Sequence, residues 1–264
     1  MKKVLLTTVG LVALGMAPAL AADLPARAYT KAPVAAAAIY NWGGFYIGLN
    51  GGGGSSHKCW NLTSVPGVAA FAPTNEGCHD ATGGLVGGQL GYRWQAANWV
   101  FGLEAQGDWA NLKGSNTSQG GTLGGLPYVN QTKIDAIGLF TGQVGYAWNN
   151  VLLYLKGGAA FTHDKYNGLT TGAVGGVPAN TAFDQASETR WGGAVGAGLE
   201  FGFAPGWSVG VEYDHLFMGN RSLNLTATAV AGGGLSRTDS IKQDVDIGTV
   251  RLNYTFGGPV VAKY

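Results

Sequence analysis

From Phe101 to Trp109 the chain reads FGLEAQGDW. Phe101, Leu103, Ala105, Gly107 and Trp109 fall on one parity, and Gly102, Glu104, Gln106 and Asp108 on the other. A period of two gives a strand one apolar and one polar face. The alternation recurs: Gln89 and Arg93 oppose Val86, Leu90 and Tyr92, Glu212 and Asp214 alternate with Val211 and Tyr213, and Arg251 and Asn253 with Leu252 and Tyr254. Eight strand-like segments can be marked. They begin at Trp42, end at Trp94, span Trp99 to Trp109, end at Trp148, span Val151 to Phe161, Arg190 to Phe203 and Trp207 to Phe217, and end at Phe256.

The connections decide what kind of sheet these strands make. After the second, fourth and sixth strands they are short (QAAN, NN and APG); after the first, third, fifth and seventh they run to roughly 20 to 28 residues rich in Gly, Ser, Thr and Asn. Strict alternation of short and long joints predicts an all-β fold, an eight-stranded antiparallel up-and-down transmembrane β-barrel over residues 41–264, with tight periplasmic turns and four long, flexible external loops. Tyr92, Trp94, Trp99, Tyr146, Trp148, Phe203, Trp207, Tyr254 and Phe256 gather beside the short joints, where an aromatic girdle belongs. Lys or Arg on the lipid face near mid-membrane costs roughly 2–4 kcal/mol, so the polar faces turn inward. The predicted lumen network joins Glu104, Asp108, Glu200 and Glu212 to Arg93, Lys156 and Arg251. Eight strands enclose a space that side chains can fill, and the network then plugs the lumen. The competing reading is a narrow diffusion channel for ions or small solutes, for which Gly87, Gly102, Gly158, Gly196 and Gly198 leave room.

Composition sharpens this picture. Charged residues make up 12% of the chain, against about 25% in ordinary soluble domains, and there are 46 glycines, 8 Trp, 11 Tyr and 10 Phe. A net charge of +1 gives no basic footprint for nucleic acid. The N-terminus carries Lys2 and Lys3, an apolar run from Val4 to Ala17, and the small-residue exit Ala19-Leu20-Ala21, which predicts a signal peptide over 1–21. The Ala/Pro-rich stretch 22–40 reads as a periplasmic linker. In an exported chain Cys59 and Cys78 point to a disulfide; a zinc site with His57 and His79 is the sharper alternative, without a known zinc spacing.

Candidate chemistry adds little. GGAVGAG at 192–198 resembles a dinucleotide fingerprint but sits inside a strand. Asn61, Asn116, Asn130, Asn224 and Asn253 each open an N-x-[ST] triplet, which composition explains. Thr162-His163-Asp164 and Tyr213-Asp214-His215 lie where strands leave the membrane; a His–Asp pair can act as a general base, and His57, His79, His163 and His215 are the possible haem ligands. Polar rim residues explain the same letters, so no enzyme, cofactor or metal is expected.

Several stretches resemble a known family. NWGGFYIGLNGG at 41–52, GYRW at 91–94, GQVGYAW at 142–148, LLYLKGGAAF at 152–161, GAGLEFGFAPGWSVGVEYDHL at 196–216 and the ending VRLNYTFGGPVVAKY are similar to the alphaproteobacterial outer-membrane immunogenic proteins, small porin-family or opacity-like surface antigens. The resemblance implies an eight-stranded barrel in the cell outer membrane, in contact with its lipid, with a structural, surface-antigen or weakly porin-like role, host or matrix contacts through external loops and, in some relatives, haemin binding. Two departures stand out: Thr141 and Gln143 replace arginines that many relatives carry in the fourth strand, and the Cys59–Cys78 pair is not a general family feature.

Overall fold

The computed structural model describes residues 40–257. The leader predicted over 1–21 and the linker 22–40, apart from Tyr40, lie outside the described residues. Eight strands follow in order: β1 Gly44–Ser64, β2 Thr74–Ala96, β3 Trp99–Leu123, β4 Leu126–Trp148, β5 Val151–Thr170, β6 Ala182–Ala204, β7 Trp207–Ala227 and β8 Leu235–Phe256. Each pairs antiparallel with its sequence neighbour, and β1 pairs with β8 to close the ring. Closure leaves the barrel without an edge strand, which a sheet in lipid requires. A single helical turn, Ala229–Ala231, interrupts the β7–β8 connection.

Three two-residue turns mark one end, here the base: Ala97-Asn98, Asn149-Asn150 and Pro205-Gly206. Ala97, Asn149 and Gly206 take left-handed φ values of 53°, 56° and 76°, which reverse the chain within two residues. Gly44 and Phe256 lie at the same end, close in register through Phe45↔Phe256.

At the opposite end, the rim, the structure departs from the sequence reading. The strands run for 20 to 25 residues, whereas a tilted span needs only about 9–11. Most of the predicted long loops are therefore wall. The β3–β4 connection shrinks to Gly124-Gly125, with φ of 59° and 82°, a backbone that suits a tight hairpin and that glycine adopts freely. Residues 65–73, 171–181 and 228–234 make the other three rim connections.

The exterior of the wall carries an apolar band near the base. Along β3, Trp99, Phe101, Leu103 and Trp109 are exposed, and above Trp109 the outward positions become Asn111, Lys113 and Ser115. The lower girdle consists of touching rings: Trp99 on Tyr146 at 5.4 Å, Tyr146 on Trp148 at 4.8 Å, Trp207 on Tyr254 at 5.0 Å, and Phe45 on Phe256 at 5.8 Å. Trp109, the touching Phe161–Trp191 pair and Phe217 form a second girdle about ten residues higher along the strands.

Candidate functional site

Every predicted lumen residue points inward and is buried: Arg93, Glu104, Asp108, Lys156, Glu200, Glu212 and Arg251. Period-two alternation puts them there, because their neighbours on the other parity meet lipid. Arg93 donates two hydrogen bonds to Glu200, at 3.0 and 2.6 Å, a fork that matches a carboxylate. Arg251 bridges Glu104 and Glu212. Lys156 reaches Glu212 at 2.7 Å, and Glu104 and Asp214 at 3.3 Å. Tyr46 donates to Glu104 and Tyr154 to Glu212, both at 2.6 Å, and Arg93 lies 4.3 Å from the centre of the Tyr46 ring.

Asp108 behaves differently from the expectation. It accepts from Gln106 Nε2 at 2.9 Å and forms no ion pair among the described residues. Asp214, on the same parity of β7 as Glu212, joins Lys156 instead. The glycines expected to leave free space are overlaid by neighbours. A Cβ at Gly198 would overlap the Tyr154 ring, and one at Gly87 would overlap Asp108. Thr141 and Gln143 do face the lumen, and Gln143 accepts from Arg93 Nε at 3.3 Å.

The ionic layer lies between two apolar ones. At the base, Tyr40 stacks on Trp42 at 4.5 Å, and Trp42 packs with Val100, Ala147, Leu152 and Tyr154. Tyr40, placed by its sequence in the linker, thus belongs to the barrel floor. Trp42 Nε1 donates to the Asn149 carbonyl at 3.0 Å, tying the floor to a base turn. Toward the rim, Leu112, Ile134, Ile137, Leu139, Leu216, Met218, Val245 and Ile247 form an aliphatic layer across the lumen. This layer was missed because its residues are scattered over four strands, and some of them, such as Leu112, Ile134 and Val245, stand singly between polar neighbours in sequence.

Two further polar layers line the extended wall. Lys58 pairs with Asp164, which also accepts from Thr162 at 2.5 Å; burial brings the Lys58 ammonium down to about 8 against the pull of Asp164. Nearer the rim, Arg237 contacts Glu76 at 3.0 Å, Asp184 at 2.9 Å and Asp239 at 3.3 Å. Its guanidinium lies 4.3 Å from the Tyr128 ring centre, and Asn130 accepts from Nη2 at 2.9 Å. Trp60 and Tyr166, edge to face at 5.4 Å, pack with Leu225 and Ile241 between these layers.

The histidines do not converge. His57 faces outward against Asp80 at 2.7 Å, and His163 against Thr189 at 3.3 Å. His215 faces outward against Asp246 at 2.7 Å, and Asp246 also accepts from Tyr213 at 2.5 Å. His79 turns inward to Asn116 and Thr132; burial depresses its basicity. Cys59 and Cys78, directly opposite on β1 and β2, are joined by a disulfide on the outer part of the wall. The same bond commits both sulfurs, so the zinc alternative does not fit the oxidised chain.

A family model described as the outer membrane protein beta-barrel domain matches residues 7–256. The chain is 29% identical over 231 residues to the 31 kDa outer-membrane immunogenic protein of Brucella melitensis, covering 84% of this chain and 90% of that protein. It is 28% identical over 241 residues to the 25 kDa outer-membrane immunogenic protein of Brucella abortus, covering 91% and 92%. Among solved structures, the outer membrane protease OmpT of Escherichia coli is similar in fold, with a TM-score of 0.52 at 10% identity over 81% of this chain and 97% of that one.

Proposed function

The chain belongs to the outer membrane protein beta-barrel family, and from that membership we propose that it is a non-enzymatic structural and surface-antigen protein whose lumen is closed. The observation that carries this reading is the stack of layers across the interior. From base to rim the axis crosses Trp42, the Arg93–Glu200 and Arg251 ion pairs, the aliphatic layer, the Lys58–Asp164 pair and the Arg237 cluster. An ion entering the aliphatic layer would lose its water and find no polar partner, a transfer that costs far more than thermal energy. Three cations and four carboxylates in the inner layer hold one another across the barrel, and releasing one leaves a buried charge uncompensated.

Interaction with other cells or a matrix then falls to the rim, where residues 65–73, 171–181 and 228–234 are presented on rigid strands above the membrane. The leader 1–21 is removed on export in this reading, and 22–39 connects the barrel to the periplasm. The test is single-channel conductance of the chain from Ala22 in a planar bilayer. Silence with insertion confirmed is the expected result. Discrete steps that grow when Arg93 or Glu104 is neutralised would replace this reading with the narrow pore.

A further inference from the structure

Just above the apolar band, three lysines stand in one line across three strands. Lys113 on β3 lies directly opposite Lys133 on β4, and Lys133 directly opposite Lys165 on β5. All three belong to the outward parity: their neighbours Leu112, Ile134 and Asp164 are fully buried. Like charges directly opposite across a ladder destabilise it, and here the arrangement occurs twice in succession. Asp135 is the acid that meets the row, 2.5 Å from Lys165 and 4.0 Å from His163. Lys113 and Lys133 form no ion pair among the described residues, so most of the positive charge is left unmatched.

Depth suggests what matches it. Lys113 is four residues above Trp109, and Lys165 four above Phe161. At about 3.3 Å per residue and a tilt near 45°, that places the row roughly 9 Å beyond the hydrocarbon edge. The headgroup zone is about 5–8 Å deep, and a lysine stem bends back across the difference. Beside Lys165 the row opens into a recess lined by Asn167, Gln185, Ser187 and Thr226. The recess adjoins a stretch where β6 and β7 are unpaired, between Gln185↔Thr226 and Gly193↔Phe217. Elsewhere at about this height Asp80 and Asp244 flank His57 on neighbouring strands, Lys242 lies beside Asp244, and Arg221 is a single exposed cation opposite Ile241, so no second row of directly opposed cations occurs among the described residues.

We propose that Lys113, Lys133 and Lys165 form a binding site for the phosphate groups of an outer-leaflet glycolipid, with the saccharide that bears them lodged in the recess beside Lys165. This rests on the barrel being inserted to the depth its apolar band implies. Phosphates spaced along a headgroup would neutralise the opposed lysines and remove the strain between them, as basic segments do at anionic membrane surfaces. Amide and hydroxyl groups in the recess suit sugar hydroxyls as well as phosphate oxygens.

The full chain in uncharged detergent micelles is titrated with bis-phosphorylated lipid A, and retained lipid is counted by native mass spectrometry. Wild type is expected to retain the lipid, and K113Q/K133Q/K165Q to bind it about 150-fold more weakly, the effect of removing three positive charges at an anionic surface. K242Q, which removes an exposed lysine on β8, leaves retention unchanged. Asp135→Asn is expected to raise affinity about fivefold, a gain that no folding defect can imitate. Equal retention by wild type and the triple variant, or of dephosphorylated lipid A, would overturn the site. Inorganic phosphate binding in place of the lipid would assign the row to a free anion and overturn the lipid. Loss of a dimer peak in the triple variant, with lipid retained, would give the row to a second copy of the chain. Wild type whose gel migration is the same before and after boiling is not an inserted barrel, and that result would overturn the site together with the reading beneath it.

Discussion

Asp239 has no exposed surface, and neither of its oxygens receives a hydrogen bond among the described residues. It lies beyond the bilayer, so its titration can be read in water-based terms. Burial pushes its carboxyl from 3.8 up to about 7, with Arg237 opposing and Glu76 and Asp184 adding to the rise. The folded chain then holds a proton that the unfolded chain has already released. Stability from this group is full below about pH 4 and is lost as pH rises through about 7. The urea midpoint of the wild type should therefore fall between pH 5 and pH 8, reflecting a loss of unfolding free energy on the order of 2 kcal/mol for this one acid. Asp239→Asn should narrow that gap by raising the midpoint at pH 8. An unchanged gap in the variant would place the titrating group elsewhere.

Each strand has two regimes. Near the base, lipid on one side and the lumen on the other enforce alternation, and the pattern can be read by eye in Phe101 to Trp109. Above Trp109 the outward face meets water, so both parities are polar and the alternation disappears. On β4, Asn130 and Thr132 are fully buried in the lumen while Gln131 faces out; nothing in those letters separates them. The extended wall was read as loop for that reason, and with it Lys58, Glu76, Asp184 and Arg237 were missed as lumen residues. Leu103 tests the lower regime. It is 60% exposed in the middle of the apolar band, and Leu103→Arg should cost roughly 2–4 kcal/mol in unfolding from lipid vesicles. Leu123→Arg, beyond the membrane beside the Gly124-Gly125 turn, should cost little. Equal losses at the two positions would contradict the assigned band.

The whole molecule is held by closure as much as by local pairing. Every strand has two hydrogen-bonded neighbours, so unfolding must break the ring before any strand can leave. The chain refolded in detergent should therefore keep its barrel in cold dodecyl sulfate and migrate differently on a gel before and after boiling. Identical migration would argue against a closed ring. Cys59→Ser should leave that shift intact, because the disulfide joins β1 to β2 above the band, where the two strands are already paired. The inner layers make the same point from within. Arg93 and Glu200 are 107 residues apart in sequence, yet they meet because β2 and β6 face each other across the lumen.

The sequence by itself determined the number of strands, their up-and-down order, the end at which the turns are short, and which side chains of the membrane band face lipid. Those properties follow from a period of two and from the spacing of the joints, both local and both enforced by the bilayer. Only the tertiary structure decided how far the wall rises above the membrane, which charge meets which across the lumen, and that an aliphatic layer separates the ionic ones. Those outcomes depend on strand register and tilt around a closed ring, which bring together residues whose separation along the chain carries no trace of their contact.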